Sequence, residues 1–118
     1  MERANLEILR EHFNAASDAL RVVALVSPTC CVCQYGAGVV RATFELTPTP
    51  ALRGVAVWVP MMRADDVAAA EREAEAFADA RVAHLWDGEQ EVGNAFAKTL
   101  ALVGTAWDVY LAYAPGVR

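Results

Sequence analysis

The sequence predicts an α/β sandwich on a mainly parallel sheet, and three observations predict it. The continuous apolar runs Val22–Val26 and Val55–Val59 suit strands covered on both faces, and Val82–Trp86, interrupted only by His84, is a third strand. Stretches with apolar residues spaced three and four apart separate these runs, so that helices and strands alternate. No repeat, low-complexity tract or linker breaks the alternation. At 118 residues the chain is expected to form one domain, residues 1–118, long enough to bury a real core.

Taken in order, residues 3–19 read as an amphipathic helix, with Leu6, Leu9, Phe13, Ala16 and Leu20 on one side. Its polar face is not basic, so packing on a sheet is favoured over lying on a membrane surface. The first strand, Val22–Val26, ends at Ser27-Pro28-Thr29, where proline disfavours helix at the residue before it. A second helix runs from Cys31 to about Phe44, with Val39, Val40 and Phe44 as its apolar contacts. Gly36 and Gly38 weaken it by about 1 kcal/mol each against alanine, unless they let it lie close to the sheet.

A loop containing Pro48 and Pro50 leads to the strand Val55–Val59, closed by Pro60. Asp65 or Asp66 then caps a third helix reaching about Ala80, with Val67, Ala70, Ala74 and Phe77 inside. Val82–Trp86 is the third strand and turns at Asp87-Gly88. A fourth helix spans Glu89 to about Leu102, its acidic start suited to the helix dipole, and ends at Gly104. Trp107–Tyr113 is the last strand. A flavodoxin-like domain would share this alternation. However, no glycine- or serine-rich phosphate loop follows the first strand, and no acidic residues end the early strands.

Composition narrows the function. The net charge is −5 and the acidic excess gathers between Asp65 and Asp79, a pattern for a solvated helix face and not for nucleic-acid binding. Arginine and alanine abound while Lys98 is the only lysine, a composition expected of a GC-rich bacterial genome. The start of the chain lacks a basic segment followed by an apolar one, and no apolar run approaches bilayer length. A cytoplasmic location with no membrane partner is therefore expected, and clustered cysteines in that compartment are more often catalytic or metal-binding than structural.

All the cysteine lies at Cys30, Cys31 and Cys33, directly after a buried strand and at the start of a helix. There, unpaired backbone amides and the helix dipole favour thiolate, the reactive form. Cys33 lies three residues beyond Cys30, on the same side of the helix and within disulfide range. Attack by Cys30 on a disulfide followed by release through Cys33 fits that spacing. Cys31 lies about 100° round the helix. It reads as a small buried hydrophobe, an alternative disulfide partner or a third thiolate. Three thiolates, Cys30, Cys31 and Cys33, would suit a soft ion such as Hg(II), As(III) or Cu(I). The two histidines read otherwise: His84 as a surface or satisfied sheet residue, His12 as solvent-facing. Trp58 and Trp86 are expected to pack, while Trp107 is the exception, because it follows the Thr105-Ala106 turn that should border the cysteines.

Across most of its length the chain resembles the thioredoxin-like superfamily. The resemblance rests on the strand, Ser27-Pro28-Thr29-Cys30-Cys31-Val32-Cys33, the helix that follows, and the order of later elements. It implies a thioredoxin-like α/β/α sandwich with a four-stranded mixed sheet, an extra N-terminal helix and a truncated C-terminal part. The family's last strand and helix are missing or belong to a longer parent. By position, Cys30 would be the nucleophile and Cys33 the resolving residue. Thr29, Thr105, Ala106 and Trp107 would border the substrate.

Thr29 stands where thioredoxins carry tryptophan, Cys31-Val32 where they carry Gly-Pro, and Thr105 or Ala106 where they carry a cis-proline. No acidic residue lies in Val22–Val26, where thioredoxin has its buried proton acceptor. The expected activity is thiol–disulfide exchange with no cofactor. Its partners would be a disulfide-containing protein or small thiol substrate and an electron-donating thiol reductant. Soft-metal binding, or an inactive module serving protein interaction, is the alternative. An open sheet edge left by the missing strand suggests a homodimer.

Overall fold

The computed structural model describes residues 1–118. The elements in chain order are β1 (Glu2–Arg3), α1 (Leu6–Ala15), β2 (Leu20–Val26), α2 (Cys31–Leu46), β3 (Leu52–Trp58), α3 (Val67–Ala76), β4 (Val82–Trp86), α4 (Glu91–Thr99) and β5 (Val109–Tyr113). The sheet runs β1-β4-β3-β2-β5. The first four strands are parallel to their neighbours, and β5 is antiparallel to β2.

The sheet therefore has five strands, one more than the four expected. The start of the predicted first helix pairs with β4 instead, Glu2 opposite Leu85 and Arg3 opposite Trp86. Ala4 is buried next to this pairing, and Asn5 caps the shortened helix by accepting from the Ile8 amide at 2.8 Å. A cap three residues before its donor fixes where the helix begins, and helical spacing alone does not see it.

Helices cover both faces of the sheet. Along β2, Val23 and Leu25 point to one side, where Val55, Val57, Leu85, Leu9 of α1 and Val92 and Ala97 of α4 meet them. Ala24 and Val26 point to the other, packing with Ala56 and Trp58 of β3, Cys33 and Ala37 of α2 and Ala70 of α3. The period-2 alternation of side chains distributes a continuous apolar run between two layers. Phe44, Leu52 and Phe77 close the lower end of the second layer.

The later boundaries shift for local reasons. Val39 is half exposed and takes no part in the core, because Cys33, Ala37 and Phe44 form the buried side of α2. Leu20 and Leu52 lengthen β2 and β3 by pairing with each other. Asp66, not Asp65, caps α3 by accepting from the Ala69 amide at 2.8 Å. α4 is shorter than expected because Leu100 closes it and Ala101 takes a left-handed conformation at φ 57°. Its first turn is held from outside the helix: buried Asp87 accepts from the amides of Val92 at 3.1 Å and Gly93 at 2.8 Å. No helix is long and apolar enough to cross a membrane.

Candidate active site

β2 ends in the interior at Val26, and Ser27 and Pro28 after it are also buried. The chain then emerges at Thr29 and enters α2 with Cys30 as the N-cap residue, at φ −82° and ψ 122°. The Cys30 carbonyl accepts from the Gln34 amide at 2.9 Å, closing the first turn. Cys30 makes no side-chain capping bond. Its sulfur is thus left at the end of the helix where backbone amides point outward.

Cys30 and Cys33 approach to 3.6 Å, and their surroundings differ. Cys30 is half-buried and Cys33 is fully buried among Ala24, Val26 and Trp58. Burial pushes the Cys33 thiol up to about 12, opposed by a hydrogen bond from the Ser27 backbone amide and reinforced by the contact with Cys30 and by Asp108. The pair is thus unequal, one sulfur buried with its thiol raised and the other at a helix N-terminus, an arrangement that disulfide exchange can use.

Cys31 is exposed, which corrects the reading of it as a small hydrophobe beneath the helix. The first turn of α2 rotates it away from the sheet. No group of three or more histidine, cysteine, aspartate or glutamate side chains is placed to share a metal ion.

Asp65 holds the turn before Cys30. It accepts from the Ser27 hydroxyl at 2.5 Å, from the Thr29 amide at 2.9 Å and hydroxyl at 2.6 Å, and from the amides of Met61 at 2.9 Å and Met62 at 2.8 Å. Partial burial works to raise this carboxyl. The bonds from Ser27 and Thr29, then Met62 and Met61, outweigh it and hold the group below the usual carboxylate range. The loop after β3 is thereby tied to the turn after β2, and Thr29 is fixed directly beside the candidate nucleophile.

The turn at 104–108 comes to the same end of the sheet, because Leu25 pairs with Val109. Ala106 is buried at 1% exposure in the layer under α1 and α4, and its amide donates to the Gly93 carbonyl at 2.9 Å. Its side chain is therefore turned into the core. Thr105 donates from its hydroxyl to Asn94 Oδ1 at 2.6 Å, and Trp107 is 36% exposed. Only Thr105 and Trp107 of the three expected residues present side chains at the surface of this turn.

Asp108, Tyr110 and Asp65 were not singled out as site residues. Tyr110 Oη donates to Asp108 Oδ1 at 2.9 Å. Burial, then Asp108, then the charges of Cys33 and Cys30, push the Tyr110 hydroxyl upward. The usable signal for it was Gly36, one helical turn beyond Cys33.

The histidines lie outside the site. His12 Nε2 meets Glu2 Oε1 at 2.7 Å on the surface. His84 Nδ1 accepts from Trp58 Nε1 at 3.1 Å and its Nε2 faces the Phe77 carbonyl at 2.9 Å. An indole can only donate and a carbonyl can only accept, so His84 is the neutral tautomer with its proton on Nε2.

Neither a protein-family model nor a curated protein matches the chain. Among solved structures, the thioredoxin domain of a thiol-disulfide oxidoreductase from Bacteroides vulgatus superposes with a TM-score of 0.63 at 11% sequence identity, over 87% of this chain and 68% of that one. The layers, the strand–turn–helix that carries the cysteines, and this superposition together give the chain a thioredoxin-like fold.

Proposed function

We propose that the protein is a thiol–disulfide oxidoreductase in which Cys30 attacks and Cys33 resolves. The observation that carries this reading is the unequal pair: Cys30 at the N-terminus of α2, Cys33 buried with its thiol pushed up to about 12, the two 3.6 Å apart. A redox role is also in keeping with the solved structure it resembles, the thioredoxin domain of a thiol-disulfide oxidoreductase.

The Cys30 thiolate attacks one sulfur of a substrate disulfide. A Cys30–substrate disulfide forms, and the first substrate sulfur leaves as thiolate. Cys33 then gives up its proton to that leaving thiolate or to solvent, and its sulfur attacks Cys30. The Cys30–Cys33 disulfide forms and the second substrate thiolate departs to be protonated. The substrate gains two electrons and the protein loses two. A thiol reductant restores the dithiol by the same steps in reverse. The substrate is a disulfide-bearing protein or a small disulfide, met at a rim made by Thr29, Thr105 and Trp107. A second copy of the chain pairing along the outer edge of β5, which has β2 as its only neighbour, would give a homodimer.

The test is the rate of disulfide reduction by the wild type, Cys30→Ser and Cys31→Ala, with dithiothreitol as electron donor. The wild type and Cys31→Ala are expected to turn over alike and Cys30→Ser not at all. Equal rates for wild type and Cys30→Ser would refute the assignment.

A further inference from the structure

Arg21 and Arg53 meet at the end of the sheet away from the thiols. β2 and β3 run parallel with Arg21 opposite Arg53, two residues before Val23 opposite Val55. Both side chains therefore leave the sheet on the face that α1 covers. Arg21 is 2% exposed. Its Nε, Nη1 and Nη2 donate to the carbonyls of Ala19 at 3.2 Å, Phe13 at 2.9 Å and Ala114 at 3.1 Å, and its guanidinium carbon lies 3.9 Å from the Phe13 ring centroid. Each terminal nitrogen carries a second N–H that these carbonyls do not use, and the charge is permanent.

Like charges side by side on neighbouring strands repel, and neither arginine takes part in an ion pair. Acids nearby are engaged elsewhere: Glu2 meets His12 at 2.7 Å and Asp79 meets Arg81 at 2.8 Å. A buried cation is costly to keep without an opposite charge. In place of an aspartate or glutamate, the protein sets a cavity of about 220 Å³ beside the two guanidinium groups. Phe13, Val23 and Val55 give it apolar walls. Arg21 is buried and Arg53 exposed, so one cation lies within the wall and the other at the rim. The volume falls below the roughly 300–1,000 Å³ of drug-sized pockets, which restricts the site to a small ligand.

We propose that this cavity binds a small monocarboxylate, its charged end on Arg21 and Arg53 and its apolar body against Phe13, Val23 and Val55. The planar guanidinium fork matches a carboxylate. Inorganic phosphate would satisfy the cations but set a wholly polar group against the apolar walls, whereas an alkyl or aryl carboxylate suits both. Arg21 also holds Phe13 of α1 and Ala114 after β5, so the ligand would sit where a helix, the sheet and the segment after the last strand come together. Val26, where β2 ends before the thiol turn, is five residues beyond Arg21, about 16 Å along the strand. The site is thus separate from Cys30 and Cys33 and does not depend on the redox reading.

The experiment titrates sodium benzoate into the ¹⁵N-labelled protein at constant ionic strength and follows the amide shifts. Benzyl alcohol, which keeps the ring without the charge, and inorganic phosphate, which keeps charge without an apolar body, are titrated in parallel. Benzoate is expected to give saturable shifts at the amides of Phe13, Val23 and Val55 and none at Thr29 to Cys33. Both comparison compounds should bind at least about tenfold more weakly. Arg53 is exposed, so Arg53→Gln keeps the fold, and it should weaken benzoate by about tenfold. Arg53→Lys, which keeps the charge but not the fork, should weaken it less. Benzoate shifts that do not saturate or that map elsewhere would overturn the proposal. So would benzyl alcohol or phosphate binding as tightly as benzoate, or an unchanged affinity in Arg53→Gln.

Discussion

Thr29 gives both its backbone amide and its hydroxyl to the same oxygen of Asp65, at 2.9 Å and 2.6 Å. The residue before the candidate nucleophile is therefore anchored to a loop on a neighbouring strand. Asp65→Ala would leave the amides of Thr29, Met61 and Met62 without this acceptor. A hydrogen-bonded charged group of this kind is worth about 2–3 kcal/mol, and chemical denaturation should show a loss of that order. Turnover measured where the variant is still folded should also fall, because Thr29 no longer fixes the entry to α2.

The same carboxyl gives a pH dependence. Its folded value is held below the ordinary one, so its contribution is fully present above the unfolded value of about 4 and is lost as pH falls through the folded value. The stability gap between wild type and Asp65→Ala should therefore be constant near neutrality and narrow below about pH 4. A gap that stays constant down to pH 2 would contradict the assignment.

Trp58 and His84 give a second dependence with a different window. The rings stack at 6.1 Å, and burial lowers the histidine value. The unfolded chain binds the His84 proton at about pH 6.5 while the folded one still excludes it. Stability is then complete above that pH and falls as pH drops from there toward the folded value. His84→Gln retains a donor and an acceptor but does not titrate. Thermal unfolding from pH 7.5 to 5 should show a shallower decline for this variant than for the wild type.

Gly93 is pressed against the turn that flanks the thiols. A Cβ there would lie 2.5 Å from Thr105 Cγ2 and 3.2 Å from the Ala106 carbonyl oxygen, and the Gly93 carbonyl already accepts from the Ala106 amide. Gly93→Ala must displace the Thr105 methyl and crowd the Ala106 carbonyl, so the usual helix gain from alanine is outweighed by overpacking of about 1–3 kcal/mol. Equilibrium unfolding should show net destabilisation. Gly36→Ala should behave differently, because the atom it meets is the free end of the Tyr110 side chain. It should leave stability within about 1 kcal/mol while displacing Tyr110 from Asp108.

The sequence carried the fold because its signals are local and strong. The β-branched run of β2, the proline turn and the helical spacing after it each needed only neighbouring residues to be read. The extra strand at Glu2–Arg3 is two residues long, too short for any periodicity, and exists only because β4 lies alongside. The cysteine pair was legible for the same local reason. Asp65, Asp108 and Tyr110 were not, since they reach the site from elements 30 or more residues away along the chain and their roles follow from strand register. Asp65 looked like a helix cap because its neighbour Asp66 is one. The exposure of Cys31 depended on how the first turn of α2 faces the sheet, which a three-residue spacing does not fix.

The central claim is that Cys30 attacks first and Cys33 resolves. It is tested most directly by trapping: Cys33→Ser is mixed with a disulfide substrate, digested without reductant, and analysed by mass spectrometry. The account predicts a stable mixed disulfide between the substrate and Cys30, absent in the wild type after the same time because Cys33 releases it. An adduct on Cys31 in place of Cys30, or none on any cysteine, would contradict it.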